Sequence, residues 1–289
     1  MQGLFIRFPG WKRKALTLSY DDGVEQDKRL ISVMRKNGLK GTFNLNSGLY
    51  VREGTEFTPR TIHRRMTRDE AVKVYNGSDI EVAVHGFTHA PYDLTPINLC
   101  LQEIVKDRTN LERQFHGLVR GMAYPGGNFN DEVVDILHKA GIVYGRTVQS
   151  SGKFDLPRDW LRLKPTCHHN DDRLRELAER FIKGEAAWGS WLFYLWGHSY
   201  EFEEQDNWDI IEDFAAYMGG RDDLWYATNI EIYNYVNCFK QLVFSMDRDQ
   251  AFNPTARKLY FEVDGVEMEI GPGETKLFHT QEISLRRYD

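Results

Sequence analysis

Short β-rich runs alternate with longer amphipathic stretches from the start of the chain to about Phe244, and few architectures accept that pattern: α/β units laid around a mainly parallel sheet or barrel. The spacing predicts strands at Ala15–Tyr20, Gly41–Leu45, Ile80–Val84, Gly121–Tyr124, Val143–Thr147, Leu161–Thr166, Trp191–Trp196 and Leu224–Ala227. Between them it predicts helices at Asp27–Asn37, Arg68–Tyr75, Ile97–Phe115, Asp131–Ala140 and Asp172–Lys183. Repeats in that number point to a (β/α) barrel, here over residues 1–243. Beyond it, Lys258–Thr280 reads as alternating strands with turns at Asp264-Gly265 and Gly271-Pro272-Gly273. Residues 244–289 are therefore expected to form a small β appendage packed on the barrel.

Composition removes several classes of function. With 41% hydrophobic and 28% charged residues the chain can build a core and stay dissolved. A net charge of -6 argues against nucleic acid, whose backbone calls for a basic face. No stretch approaches the roughly 20 apolar residues of a membrane span, so no membrane insertion is expected. Met1–Trp11 lacks the apolar run of a secretory signal, so the chain as written reads as cytoplasmic; a form whose signal had been removed would read the same. Cys100, Cys167 and Cys238 are odd in number and far apart, which suits free thiols better than a disulfide framework. Oligomeric state leaves no trace in the sequence.

The chemistry-bearing residues fall just past predicted strands, where an α/β barrel places its active site. First comes Tyr20-Asp21-Asp22-Gly23. Adjacent residues leaving a strand point in different directions, so one carboxylate can hold a metal while the other faces substrate. His85 and His89, in Val84-His85-Gly86-Phe87-Thr88-His89, are four apart and would face one way on a helical turn. With Asp22 they make a set of two imidazoles and one carboxylate, leaving positions open for water and substrate. Zn2+ is the first expectation for such a divalent metal, and Co2+, Mn2+ and Ni2+ accept the same ligands. Met122-Ala123-Tyr124-Pro125-Gly126-Gly127 ends a strand in a turn whose N–H groups could face a developing oxyanion. Leu195-Trp196-Gly197-His198 ends another, and a histidine there can titrate near neutrality as a proton donor. Tyr200, Phe202 and Trp208 follow it and could stack on sugar rings or pack in the core.

These four segments, in this order, resemble the polysaccharide deacetylase (NodB-homology, carbohydrate esterase) family over roughly Lys14–Val236. The resemblance implies a distorted (β/α) barrel and the hydrolysis of an N- or O-linked acetyl group from an acetylated sugar oligomer or polymer. It casts Asp21 as general base, Asp22, His85 and His89 as metal ligands, Leu195 as wall of the acetyl-methyl pocket, and His198 as general acid. Tyr124 and Gly126 would border the oxyanion, with the N–H of Gly126 as its donor.

The family's arginine, which pairs with the catalytic aspartate, falls at Ala123. Arg120 lies three residues earlier, displaced by roughly 10 Å along a strand, so the base is expected to be held by another group. The aspartate and tryptophan that orient the acid are matched only loosely, by Asp155, Asp159 and Trp160; Trp160 would also help to exclude water. Cys167-His168-His169-Asn170-Asp171 follows a predicted strand and is either a border of the site or a plain polar loop.

Two other functions fit the scaffold. One is a cyclic amide or ureide hydrolase, against which the complete aspartate and two-histidine set argues. The other is a carbohydrate-binding protein without turnover, against which the intact Asp21 and His198 argue.

Overall fold

A computed structural model of the chain describes residues 3–247 and 249–278. The strands are β1 (Leu4–Arg7), β2 (Lys14–Asp21), β3 (Gly41–Leu45), β4 (Ile80–Val84), β5 (Gly121–Ala123), β6 (Tyr144–Arg146), β7 (Cys167–His168), β8 (Trp191–Gly197), β9 (Leu224–Tyr226), β10 (Val243–Phe244), β11 (Gln250–Phe252), β12 (Leu259–Val263), β13 (Val266–Ile270) and β14 (Thr275–Leu277). The helices are α1 (Asp27–Lys36), α2 (Arg68–Val74), α3 (Ile97–Phe115), α4 (Asp131–Lys139), α5 (Leu174–Lys183), α6 (Tyr200–Glu204), α7 (Trp208–Met218) and α8 (Asn229–Lys240). Local chemistry starts them: Thr67 with Glu70 and Thr228 with Glu231 form capping boxes at α2 and α8, and Asn130 caps α4.

A parallel sheet in the order β6-β5-β4-β3-β2-β8-β7 forms the main body, with β9 added to the first half of β2. All eight residues of β2 are buried, as expected of a central parallel strand covered on both faces. The sheet curls, and its two edges meet through one segment. Leu163 bridges Arg146 on β6, while Cys167 and His168 pair with Leu195 and Trp196 on β8. This is a distorted (β/α) barrel, as the sequence pattern predicts. The expected strand Leu161–Thr166 is corrected by this arrangement. Trp160–Arg162 is a short 3-10 turn, and only Cys167–His168 is strand, because the segment crosses the seam instead of running along it.

β1 pairs antiparallel with β12, which pairs with β13 around a two-residue turn at Asp264-Gly265, both at positive φ. β10, β11 and β14 make a second small sheet. Ile6 and Phe8 share a core cluster with Tyr194, Tyr235, Phe261 and Phe278, which joins these strands to α8 and β8. The rest of the expected appendage, residues 279–289, lies outside the described residues. The three cysteines are free thiols. No helix among the described residues is long and apolar enough to cross a membrane.

Three carboxyl groups are buried beneath the site. Asp27 accepts from Tyr75 and Ser199, Glu81 from Tyr144, Thr42 and the Ile230 N–H, and Asp107 from the N–H groups of Ser47 and His85. Burial outweighs these bonds and pushes each up to about 7. Unfolded carboxyls ionise near pH 4, so between about pH 4 and 7 the folded state holds more protons. The stability these groups contribute is complete below about pH 4 and is lost as pH rises through about 7. The urea midpoint is accordingly expected to fall between pH 5 and 7.5, and Asp27→Asn to flatten that slope. A midpoint that rises over this range contradicts the assignment.

Candidate active site

β2 delivers two carboxylates with different surroundings. Asp21, its last residue, is buried; its Oδ1 accepts from Asn44 Nδ2 on β3 at 2.8 Å, and its Oδ2 from Arg146 on β6. Burial alone would raise the Asp21 carboxyl, but the Arg146 guanidinium holds it below the usual carboxylate range. Asp22 leaves the strand at φ 85, a conformation costly for any residue with a Cβ. Its N–H donates to Asn44 O, and its carbonyl accepts from Arg65. Those bonds at both ends of the residue hold the turn.

His85 and His89 meet, with ring centroids 4.8 Å apart, but not on a helix as their spacing suggested. The loop folds back through Gly86 at φ 78 and His89 at φ 59. Gly86 is required there: a Cβ would lie 2.7 Å from Tyr92 Oη and 3.3 Å from Pro125 Cγ. Asn46 Nδ2 donates to the carbonyls of His85 and Gly86, and Asp107 accepts from the His85 N–H, so α3 and the end of β3 clamp the loop.

His85 is buried and its Nδ1 donates to Ala123 O at 2.9 Å, which fixes its tautomer. Its Nε2 is left without a hydrogen-bond partner, as a lone pair. Burial pushes this imidazole down to about 4, so it is neutral at pH 7. Donor atoms of Asp22, His85 and His89 lie within 4.8 Å of one another. A buried neutral imidazole with an unspent lone pair, beside a second imidazole and a carboxylate, fits a divalent cation.

The charged partner of Asp21 comes from β6. Ala123 and Arg146 are register partners on β5 and β6, so Arg146 sits at the height of Ala123, one strand over. Its guanidinium is fully buried, pairs with Asp21 and lies 4.4 Å from the Trp196 ring. Arg120, at the other end of β5, has no part in this.

His198 follows β8 and places Nε2 3.7 Å from Asp21 Oδ2, while its Nδ1 donates to Glu201 Oε1 at 2.9 Å. Burial would lower this imidazole, but the Glu201 bond and the charge of Asp21 raise it above its ordinary value. Asp21 and His198 are therefore held in opposite protonation states beside Asp22, His85 and His89.

The loop between β3 and α2 contributes groups that the sequence reading missed. His63 Nε2 lies 3.1 Å from Asp22 Oδ2, and Arg65 Nη2 donates to Asp22 Oδ1 at 3.0 Å. Arg64 anchors the loop by pairing with Glu203 of α6. Tyr200 sets its ring between His63 and His198 and is the one of the three predicted aromatics at this rim. Phe202 is buried against His169 and Trp208.

Other expected residues land differently. Gly126 lies at φ 60 in the 3-10 turn Pro125–Gly127, where the Gly127 N–H donates to Tyr124 O and the Gly126 N–H is not spent on the turn. Tyr124 offers no donor: its N–H bonds Arg146 O and its hydroxyl donates to Leu161 O. Leu195 is fully buried in the core cluster behind the site. Trp160 packs edge-on against Tyr233 of α8 and against the second core cluster. Asp159 caps the turn beside Trp160 and pairs with Arg162, and Asp155 is exposed, so neither reaches His198. The tryptophan beside His198 is Trp196, with ring centroids 5.8 Å apart.

Residues 10–145 match the family profile described as Polysaccharide deacetylase. Among solved structures, a Mycobacterium smegmatis protein described as a candidate polysaccharide deacetylase is similar over 83% of this chain and 96% of its own, at TM-score 0.57 and 14% identity. A Streptococcus pyogenes deacetylase solved with acetate matches 46% of this chain and 55% of its own, at TM-score 0.40 and 17% identity. The deacetylase domain of a Bordetella bronchiseptica protein matches 47% of this chain and 64% of its own, at TM-score 0.40 and 14% identity. The chain thus spans 55% and 64% of those two deacetylases. No curated protein matches the sequence.

Proposed function

We propose that this chain, whose residues 10–145 match the polysaccharide deacetylase profile, hydrolyses an acetyl group from a carbohydrate, with a divalent metal, Asp21 as base and His198 as acid. The observation that carries this reading is the pairing of an ionised carboxylate with a raised imidazole 3.7 Å away, beside Asp22, His85 and His89. A cation held by those three residues, Zn2+ in first place, would polarise the acetyl carbonyl and make water a better nucleophile.

Asp21, kept ionised by Arg146 and Asn44, takes the proton from the attacking water. The Gly126 N–H is the backbone donor available to the developing oxyanion. His198 gives its Nε2 proton to the leaving nitrogen or oxygen as the C–N or C–O bond breaks, and acetate and the deacetylated sugar depart. Acetylated sugar oligomers and polymers are the substrate class this chemistry suits.

Acetate release from a panel of N- and O-acetylated sugars tests the proposal. Wild-type protein supplied with Zn2+ is expected to release acetate, and Asp21→Asn to lose at least about 10²-fold of that rate. Release from no acetylated sugar, with ring opening of a cyclic amide instead, would replace this reading with the cyclic-amide one.

A further inference from the structure

His168 and His169 stand outside the mechanism above, yet the structure gathers them with His198 around one carboxylate. Glu201 Oε1 accepts from His198 Nδ1 at 2.9 Å, and Glu201 Oε2 lies 3.2 Å from His168 Nε2 and 3.0 Å from His169 Nε2. The Asn170 N–H donates to His168 Nδ1 at 3.1 Å, which puts the proton of that ring on Nε2, facing Glu201. His169 is fully buried, sandwiched between Tyr20 and Phe202, and lies over Gly197 so closely that a Cβ there would be 2.0 Å from its Nδ1. Burial pushes His169 down to about 4, so it packs as a neutral ring.

We propose that Glu201 is the positioning residue of the acid His198, and that His168, carried in by the seam strand β7, positions Glu201. The inference rests on the reading of His198 as acid. Glu201 sits three residues after His198 at the start of α6, and no carboxylate from residues 154–160 reaches that imidazole. A carboxylate accepting at Nδ1 fixes the ring plane, so Nε2–H points toward Asp21 and the reaction centre. The titratable groups facing His198 are Glu201 beside it, Asp21 and Asp22 from β2, Tyr200 of α6, and His168 and His169 through Glu201.

The test exploits leaving groups. 4-Nitrophenyl acetate loses a phenolate that needs no proton, whereas an N-acetylglucosamine oligomer loses an amine that does. Glu201→Gln is expected to lower amide turnover about 10²-fold more than ester turnover, because general acid catalysis matters only to the amide. Equal losses on both substrates would make Glu201 a fold-holding residue and overturn the proposal. The His198 ring is also titrated by NMR in the metal-free protein, with the wild-type midpoint above that of Glu201→Gln. An unchanged midpoint overturns the proposal as well, even where the wild type cleaves neither substrate and the reading of the reaction has failed by itself. Glu201→Ala serves both measurements should the glutamine variant not fold.

Discussion

Replacing Arg146 with alanine is expected to cost about 3–5 kcal/mol of stability and to silence acetate release at neutral pH. Both effects follow from one contact. Arg146 is fully buried against Asp21, and removing one partner of a buried ion pair leaves the other charged and desolvated. With the guanidinium gone, burial governs Asp21, whose carboxyl then rises and holds a proton where the base must be empty. The acidic limb of the pH–rate profile should therefore move to higher pH. In the wild type the sign is opposite: the stability supplied by the pair is present above the ordinary aspartate range and is lost only as pH falls through the lowered pKa of Asp21. Arg146→Lys should not restore function, since an ammonium cannot reproduce the planar fork over Trp196. A denaturant midpoint and pH profile left unchanged in the alanine variant would remove Arg146 from the site.

His85→Ala is expected to abolish stoichiometric Zn2+ binding and to reduce acetate release about 10³-fold or more, the several kcal/mol of barrier that a metal Lewis acid supplies. Calorimetric titration and the thermal shift on adding Zn2+ check it without any assay of turnover. At one hundred times its dissociation constant a ligand raises stability by about 2.7 kcal/mol, and this gain should vanish in the variant. A wild-type protein whose melting does not respond to Zn2+, Co2+, Mn2+ or Ni2+ would sink the assignment of Asp22, His85 and His89.

The parts readable in the sequence were those with strong periodicity. β3 and β4 begin and end at the expected residues, and α3 spans Ile97–Phe115 as its pattern predicts. Leu161–Thr166 misled because its apolar residues serve a seam, where Leu163 meets β6 and Cys167 meets β8, with Pro165 between them. The adjacent aspartates, the two histidines and His198 are brought together around the ends of β2, β4 and β8. Arg146 escaped notice although a signal existed: an arginine inside the apolar run Val143–Thr147 must find a carboxylate if that strand is buried. Glu201 was equally visible as a carboxylate three residues past a candidate acid. His63 and Arg65 could not be read, because an irregular loop has no period from which to infer where it returns.

The pairing of β1 with β12 sets a schedule for synthesis. Leu4 bonds opposite Val263, and the buried Arg7 pairs with Glu262 at 2.7 Å, so β1 leaves the ribosome long before its partner strand does. Until residue 263 has emerged, that strand keeps an unpaired edge and an unmatched cation while the barrel behind it assembles. Contacts so distant along the chain slow the closing step of folding. A nascent chain stalled before β12 would thus expose an adhesive edge, the kind of surface on which chaperones act and aggregates begin.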